Sequence, residues 1–171
     1  METAAWGNFY LITSAAAATL VGLLFVVLTL ASDRIPASES KRIRVYLTPS
    51  VLQFSLVLVL AAMLMFPTQT RLSSAISCGS IGALGIIYAA SVLLDGLRGN
   101  ALRERRDLLQ YAVLPALGYA ALVVGGIAID KPGDTHGPTI VAAGVLALVA
   151  LAIRNSWSVA VSVVTLRDSK M

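Results

Sequence analysis

One cysteine and one histidine are all that this 171-residue chain contains, and only 13% of its residues are charged. With Cys78 alone, no disulfide can close within the chain. A structural zinc site takes four Cys or His ligands, and Cys78 and His136 fall short of that. Haem held between paired histidines on facing helices is excluded for a monomer by the same shortage. Charge is the next scarcity, since soluble domains carry about 25% Asp, Glu, Lys and Arg. Motifs of chemistry are missing too. No Gly-rich loop followed by Lys and Ser or Thr cradles a phosphate, and there is no serine elbow, no metalloprotease helix and no pair of aspartates inside an apolar run. The stretch from Asp95 to Asp107 has a superficial likeness to membrane phosphotransferase signatures, but its aspartates are wrongly spaced. Catalysis needs an acid, a base or a nucleophile that converge on one place. None does, so neither an enzyme nor a cofactor is expected.

What the chain has in excess is apolar surface. It is 57% hydrophobic with a mean hydropathy of +0.83, more than a core of this size can absorb, so lipid must cover much of it. A bilayer core of about 30 Å takes roughly 20 apolar residues as helix. Five stretches qualify: residues 8–31, 49–66, 73–95, 111–129 and 139–160. Backbone groups in lipid must be satisfied internally, which favours helices, and no alternating strand pattern is present. The expectation is an all-α polytopic bundle of five transmembrane helices forming one membrane domain over residues 1–171. Thr48 reads as the N-cap of the second helix with Pro49 at its first position, and Pro67 as its stop. Asn100 reads as the cap of an extension of helix four, which Pro115 should kink. The N-terminal segment carries Glu2 and no Lys or Arg before Asn8, unlike the basic start of a secretory signal, so the first apolar run is expected to be a retained helix.

Charge then orients the chain. Of the 13 Lys and Arg residues, all but Arg71 and Lys131 fall on one side of five spans. They lie in residues 32–48, in residues 96–110 and at the C-terminal end. Short basic loops stay cytoplasmic, so the N-terminus is expected outside and the C-terminus in the cytoplasm. The partners implied are the bilayer itself and anionic headgroups at the basic loops, with no nucleic acid. Trp6, Tyr10 and Phe66 at one level and Tyr46, Tyr111 and Trp157 at the other fit aromatic belts.

Small residues recur at four-residue spacing. Ser14, Ala18 and Gly22 share a face of helix one; Ser74, Cys78 and Gly82 share one of helix three, as do Ala75, Gly79 and Ala83; Ala121 and Gly125 follow in helix four. Such faces let helix backbones approach closely in lipid. They serve packing inside one bundle, or a surplus face makes a subunit contact. Arg154 is the charge deepest in a span, about 22 Å along helix five from Thr139. Its face runs Ala143, Ala147, Ala150, Arg154, Ser158, Ser162 and Thr165. Two readings stand. Arg154 snorkels to the interface, or a polar stripe of Arg154, Asn155, Ser158 and Ser162 contacts an anion or a lipid phosphate. Gln53 and Ser55 could hydrogen-bond across helices, Asp95 could pair with Arg98, and His136 sits in a solvated turn.

The run from Leu11 to Leu30, with an Ala-rich stretch followed by Gly22-Leu23-Leu24-Phe25-Val26, resembles the first helix of a family of small bacterial multi-pass inner-membrane proteins. The basic loop after it and the short second helix ending near Pro67 fit the same pattern. The resemblance implies a bacterial plasma membrane and no particular activity. Together these features lead to a non-enzymatic membrane protein that acts through helix–helix association, as a homo-oligomer or a subunit of a membrane complex. The alternative is an ion channel or small-solute pathway assembled from several copies around the Arg154 stripe.

Overall fold

Each apolar run becomes one long helix. The computed structural model describes residues 3–32, 37–97 and 108–168, with side chains placed for 6–29, 47–97, 108–158 and 161. The helices are α1 (Thr3–Ser32), α2 (Ala37–Leu64), α3 (Arg71–Leu97), α4 (Leu114–Asp130, entered through a π-helical turn at Leu109–Val113) and α5 (Gly137–Asp168). Among the described residues there is no strand, and all five helices are long and apolar enough to cross a membrane. Large apolar side chains lie bare on the outside, with Ile12 at 69% and Ile87 at 66% exposure. Water would not tolerate that surface, and a bilayer covers it. The chain is an integral, multi-pass membrane protein.

Two differences from the sequence expectation concern helix ends. The second helix does not start at a Thr48 cap. It starts at Ala37 and runs through Pro49, so much of the basic stretch before it is helix rather than loop. A proline inside a helix removes one backbone donor and leaves the carbonyl four residues earlier without its partner. The favourable stretch on either side carries the helix across that single loss. The fifth helix likewise continues past residue 160, to Asp168. At 32 residues it is about 48 Å long, well over the hydrocarbon thickness of about 30 Å. The turns at residues 65–70 and 131–136 are tight, so the surplus length of α2 and α5 projects at the other end, called here the basic end. The proposed extension from Asn100 and the Asp95–Arg98 pair involve residues outside the described ones.

The tight turns are built by local hydrogen bonds. Thr70 and Ser73 cap α3 reciprocally: the Ser73 N–H donates to Thr70 Oγ1 (3.1 Å) and the Thr70 N–H donates to Ser73 Oγ (2.8 Å). This is a capping box with serine in the place of the usual Glu or Gln. Before α5, Asp134 Oδ1 accepts from the N–H of His136 (2.7 Å) and of Gly137 (3.2 Å). Gly133 makes the turn possible with φ +83°, a conformation that only glycine adopts without strain.

Glycine decides which helices touch. A Cβ on Gly82 of α3 would lie 2.9 Å from the Tyr119 carbonyl oxygen of α4, and one on Gly126 of α4 would lie 3.1 Å from the Ala75 oxygen of α3. On another face of α4, a Cβ on Gly125 would lie 2.9 Å from the Val141 nitrogen of α5, and one on Gly144 of α5 would lie 3.0 Å from the Gly118 oxygen. So α4 lies antiparallel between α3 and α5 at backbone contact. Helix α2 closes the bundle against α5 and, less extensively, α3. The enclosed core is filled by Phe54, Val57, Leu60, Cys78, Ile81, Leu122 and Leu148. Helix α1 lies outside this group, resting mainly on α2. Only 11% of its apolar window is buried, against 33–50% for the other four. Its buried residues, Tyr10, Thr13, Ala17 and Leu24, form one narrow stripe.

Candidate functional site

Toward the basic end the bundle buries polar side chains among the apolar ones. Ser50 and Gln53 of α2 and Asn155 of α5 are 0%, 2% and 0% exposed. On α2, the residues facing α1 are Leu47, Thr48, Val51, Leu52 and Ser55, which line a crevice with Leu24, Phe25 and Leu28. At about 100° per residue, Ser50 and Gln53 point away from that crevice, along the buried stripe of Phe54, Val57 and Leu60. Ser55 therefore lies half-buried on the α1 side, apart from Gln53.

Asn155 meets a partner that sequence reading missed. Gln110 Nε2, in the π-helical turn before α4, donates to Asn155 Oδ1 at 2.6 Å. The turn exists because Pro115 follows. The Leu114 N–H reaches back five residues to the Leu109 oxygen, a π-type bond, and Pro115 enters α4 at its first turn. The widened turn is the local response to Pro115, and it carries Gln110, whose side chain reaches Asn155. Such π turns inside helices concentrate at functional sites.

Several of these buried polar groups are unsatisfied. Among the described residues, Ser50 Oγ, Gln53 Oε1 and Asn155 Nδ2 are buried without a hydrogen-bond partner. Turning the amides over would reverse the donor between Gln110 and Asn155 and still leave one Asn155 atom unpaired. Unmade hydrogen bonds at membrane depth cost about 1–3 kcal/mol each, or more. Each amide or hydroxyl can exchange hydrogen bonds with water or a neutral polar group. None of Ser50, Gln53, Gln110 and Asn155 titrates near neutral pH, so they offer hydrogen bonds but no acid or base.

The expected stripe on α5 divides. Arg154 and Ser158 are exposed, and they share the outward face of Ala143, Ala147 and Ala150. Asn155 lies about 100° round the helix, inside the bundle, so it does not belong to that stripe. The side chains of Ser162 and Thr165 lie outside the described residues. Arg154 stands at the basic end of an apolar groove between α4 and α5. Leu117, Gly118 and Ala121 form its α4 side; Ala143, Ala147 and Ala150 form its α5 side.

The small-residue faces also separate. Cys78 and Gly82 are buried in the α3–α4 contact, with Ser74 one turn before them. Ser14 is half-buried, Ala18 and Gly22 are exposed, and a Cβ on Gly22 would meet nothing within 4 Å. Two aromatic-belt residues are placed otherwise than expected. Tyr10 and Tyr111 are buried in the bundle, whereas Phe66 and Trp157 are exposed at opposite ends; the Tyr46 side chain lies outside the described residues. Comparison with family models, curated proteins and solved structures gave no match. The likeness of the first helix to small bacterial membrane proteins thus rests on its own residues.

Proposed function

We propose that this chain is a non-enzymatic protein of a bacterial plasma membrane, N-terminus outside and C-terminus cytoplasmic, that works by associating with a second copy of itself through α1. One observation carries the reading. Helix α1 packs along a single narrow stripe and leaves Ala18 and Gly22 uncovered, with Ser14 half-buried at the edge of the same flank. In α3, α4 and α5, Gly82, Gly85, Gly118, Gly125, Gly126 and Gly144 all meet a neighbouring helix, and Gly79 alone of the small-face glycines on α3 is open. Gly22 meets none. Lipid gains little from a recessed surface, while a second helix gains close packing and lipid release from it.

Gly22→Leu separates association from folding, because Gly22 is exposed and a Cβ there meets nothing in the subunit within 4 Å. Native mass spectrometry in mild detergent should show an oligomeric wild type and a monomeric variant that keeps its helical circular dichroism. A wild type that stays monomeric in mild detergent and in lipid nanodiscs would refute the reading.

A second reading, an ion or small-solute pathway formed between several copies, draws on the shared outward face of Arg154 and Ser158. Gradient-driven flux through proteoliposomes tests it. Absence of flux from wild type removes it.

A further inference from the structure

The groove between α4 and α5 has a volume of about 580 Å³ and opens on the outer surface of the bundle. It is apolar along its length and ends at a cation. We propose that it binds one acyl chain of an anionic glycerophospholipid, whose phosphate is held by Arg154.

Its dimensions fit a lipid of one leaflet. From Ala143 to Arg154 the α5 wall rises about 16 Å, roughly half of the hydrocarbon core. Its shape follows from residue size. Ala143, Ala147 and Ala150 on α5, with Gly118 and Ala121 on α4, keep the surface recessed. Leu117, 63% exposed, stands up beside them as a wall. An extended hydrocarbon chain fills such a furrow with dispersion contacts that loose bilayer chains do not keep.

The charge selects the headgroup. Arg154 is exposed on α5, and no ion pair to its guanidinium is found among the described residues. A guanidinium near the membrane boundary takes a phosphate with two parallel hydrogen bonds. The same charge argues against a second copy of this chain as the occupant. A two-fold contact through this face would bring two Arg154 side chains to one depth in a medium of low dielectric, with no counter-charge. The lipid supplies that counter-charge. This inference is independent of the α1 contact.

The test is native mass spectrometry of the full chain in detergent, with phosphatidylglycerol and phosphatidylcholine of identical acyl chains added in turn. Wild type should hold phosphatidylglycerol at least about ten-fold more strongly than phosphatidylcholine, as expected for a charge-assisted bidentate pair. Arg154→Gln should erase that preference. Arg154→Lys should recover only part of it, since an ammonium lacks the planar fork. Ala147→Leu fills the groove at an exposed position, so the fold is kept and both lipids should be lost together. Lys131→Gln, at the opposite end, should leave retention unchanged. Equal retention of the two lipids by wild type would overturn the proposal. So would an Arg154→Gln variant that keeps its preference, or displacement of the lipid by inorganic phosphate alone. Lipid retention unchanged in Ala147→Leu, with a change of oligomeric state, would assign the groove to protein instead.

Discussion

Gly82→Ala places a methyl group 2.6 Å from Val123 Cγ2, 2.9 Å from the Tyr119 carbonyl oxygen and 3.2 Å from the Val123 nitrogen. Two of these three atoms are α4 backbone, which no rotamer change can move. The helices must part. Overpacking of this kind costs about 1–3 kcal/mol, and replacing glycine by alanine within a helix returns about 0.5–1 kcal/mol. The net expectation is a loss of up to about 2.5 kcal/mol. Gly22→Ala carries the helix-propensity gain with no neighbour to strike, so the isolated subunit should gain about 0.5–1 kcal/mol. In a chain of this size about 1 kcal/mol shifts the thermal midpoint by about 2–4 °C. The two variants should therefore move in opposite directions and differ by several degrees. Thermal unfolding of detergent-solubilised protein, followed by circular dichroism under conditions that keep it monomeric, makes the comparison. A Gly82→Ala variant as stable as Gly22→Ala would show that α3 and α4 do not meet at backbone distance, and the bundle described here would be wrong.

Gln110→Leu leaves the fully buried Asn155 without its partner and should destabilise by about 1–3 kcal/mol, whereas Asn155→Leu leaves a half-buried Gln110 and should cost less. The double variant should lose clearly less than the sum, and strict additivity in the double-mutant cycle would mean that the two side chains are not coupled. Thr70→Ala should weaken the start of α3 by about 1 kcal/mol through the lost cap, read as faster hydrogen exchange at Ser73 and Ser74, and unchanged exchange there would count against the cap. Orientation is tested by a reporter active only outside the cytoplasm: fused after Lys170 it should stay silent, inserted near Gly133 it should be active, and the reverse pattern would invert the assigned topology.

The spans were legible in the sequence because hydropathy over some 20 residues measures what lipid demands. The ends of the helices were less so. Pro49 next to Thr48 has the form of a helix start, yet the stretch before it is helical as well, and one missing donor does not end a helix with turns formed on both sides. The cap before α3 escaped because Ser73 stands where the familiar pattern has Glu or Gln. Facing was the hardest to read. Arg154 and Asn155 are neighbours in the chain but about a quarter-turn apart on α5, and hydropathy alone gives no sign that Asn155 turns inward to Gln110. Small residues at four-residue spacing gave the faces on which helices can meet. They did not show that Gly82 meets α4 while Gly22 meets nothing, since that depends on which helix the bundle leaves outside.

The most direct test of association through α1 uses thiol crosslinking in native membranes. Cys78 is the sole native cysteine and is buried, so Cys78→Ala gives a clean background for single cysteines at Gly22, Ala18 and Ala17. A short bifunctional thiol reagent should link Gly22→Cys and Ala18→Cys into covalent dimers. Ala17→Cys, whose position is wholly buried within the subunit, should give none. No dimer from Gly22→Cys or Ala18→Cys, while a monofunctional reagent labels both positions fully, would contradict the account.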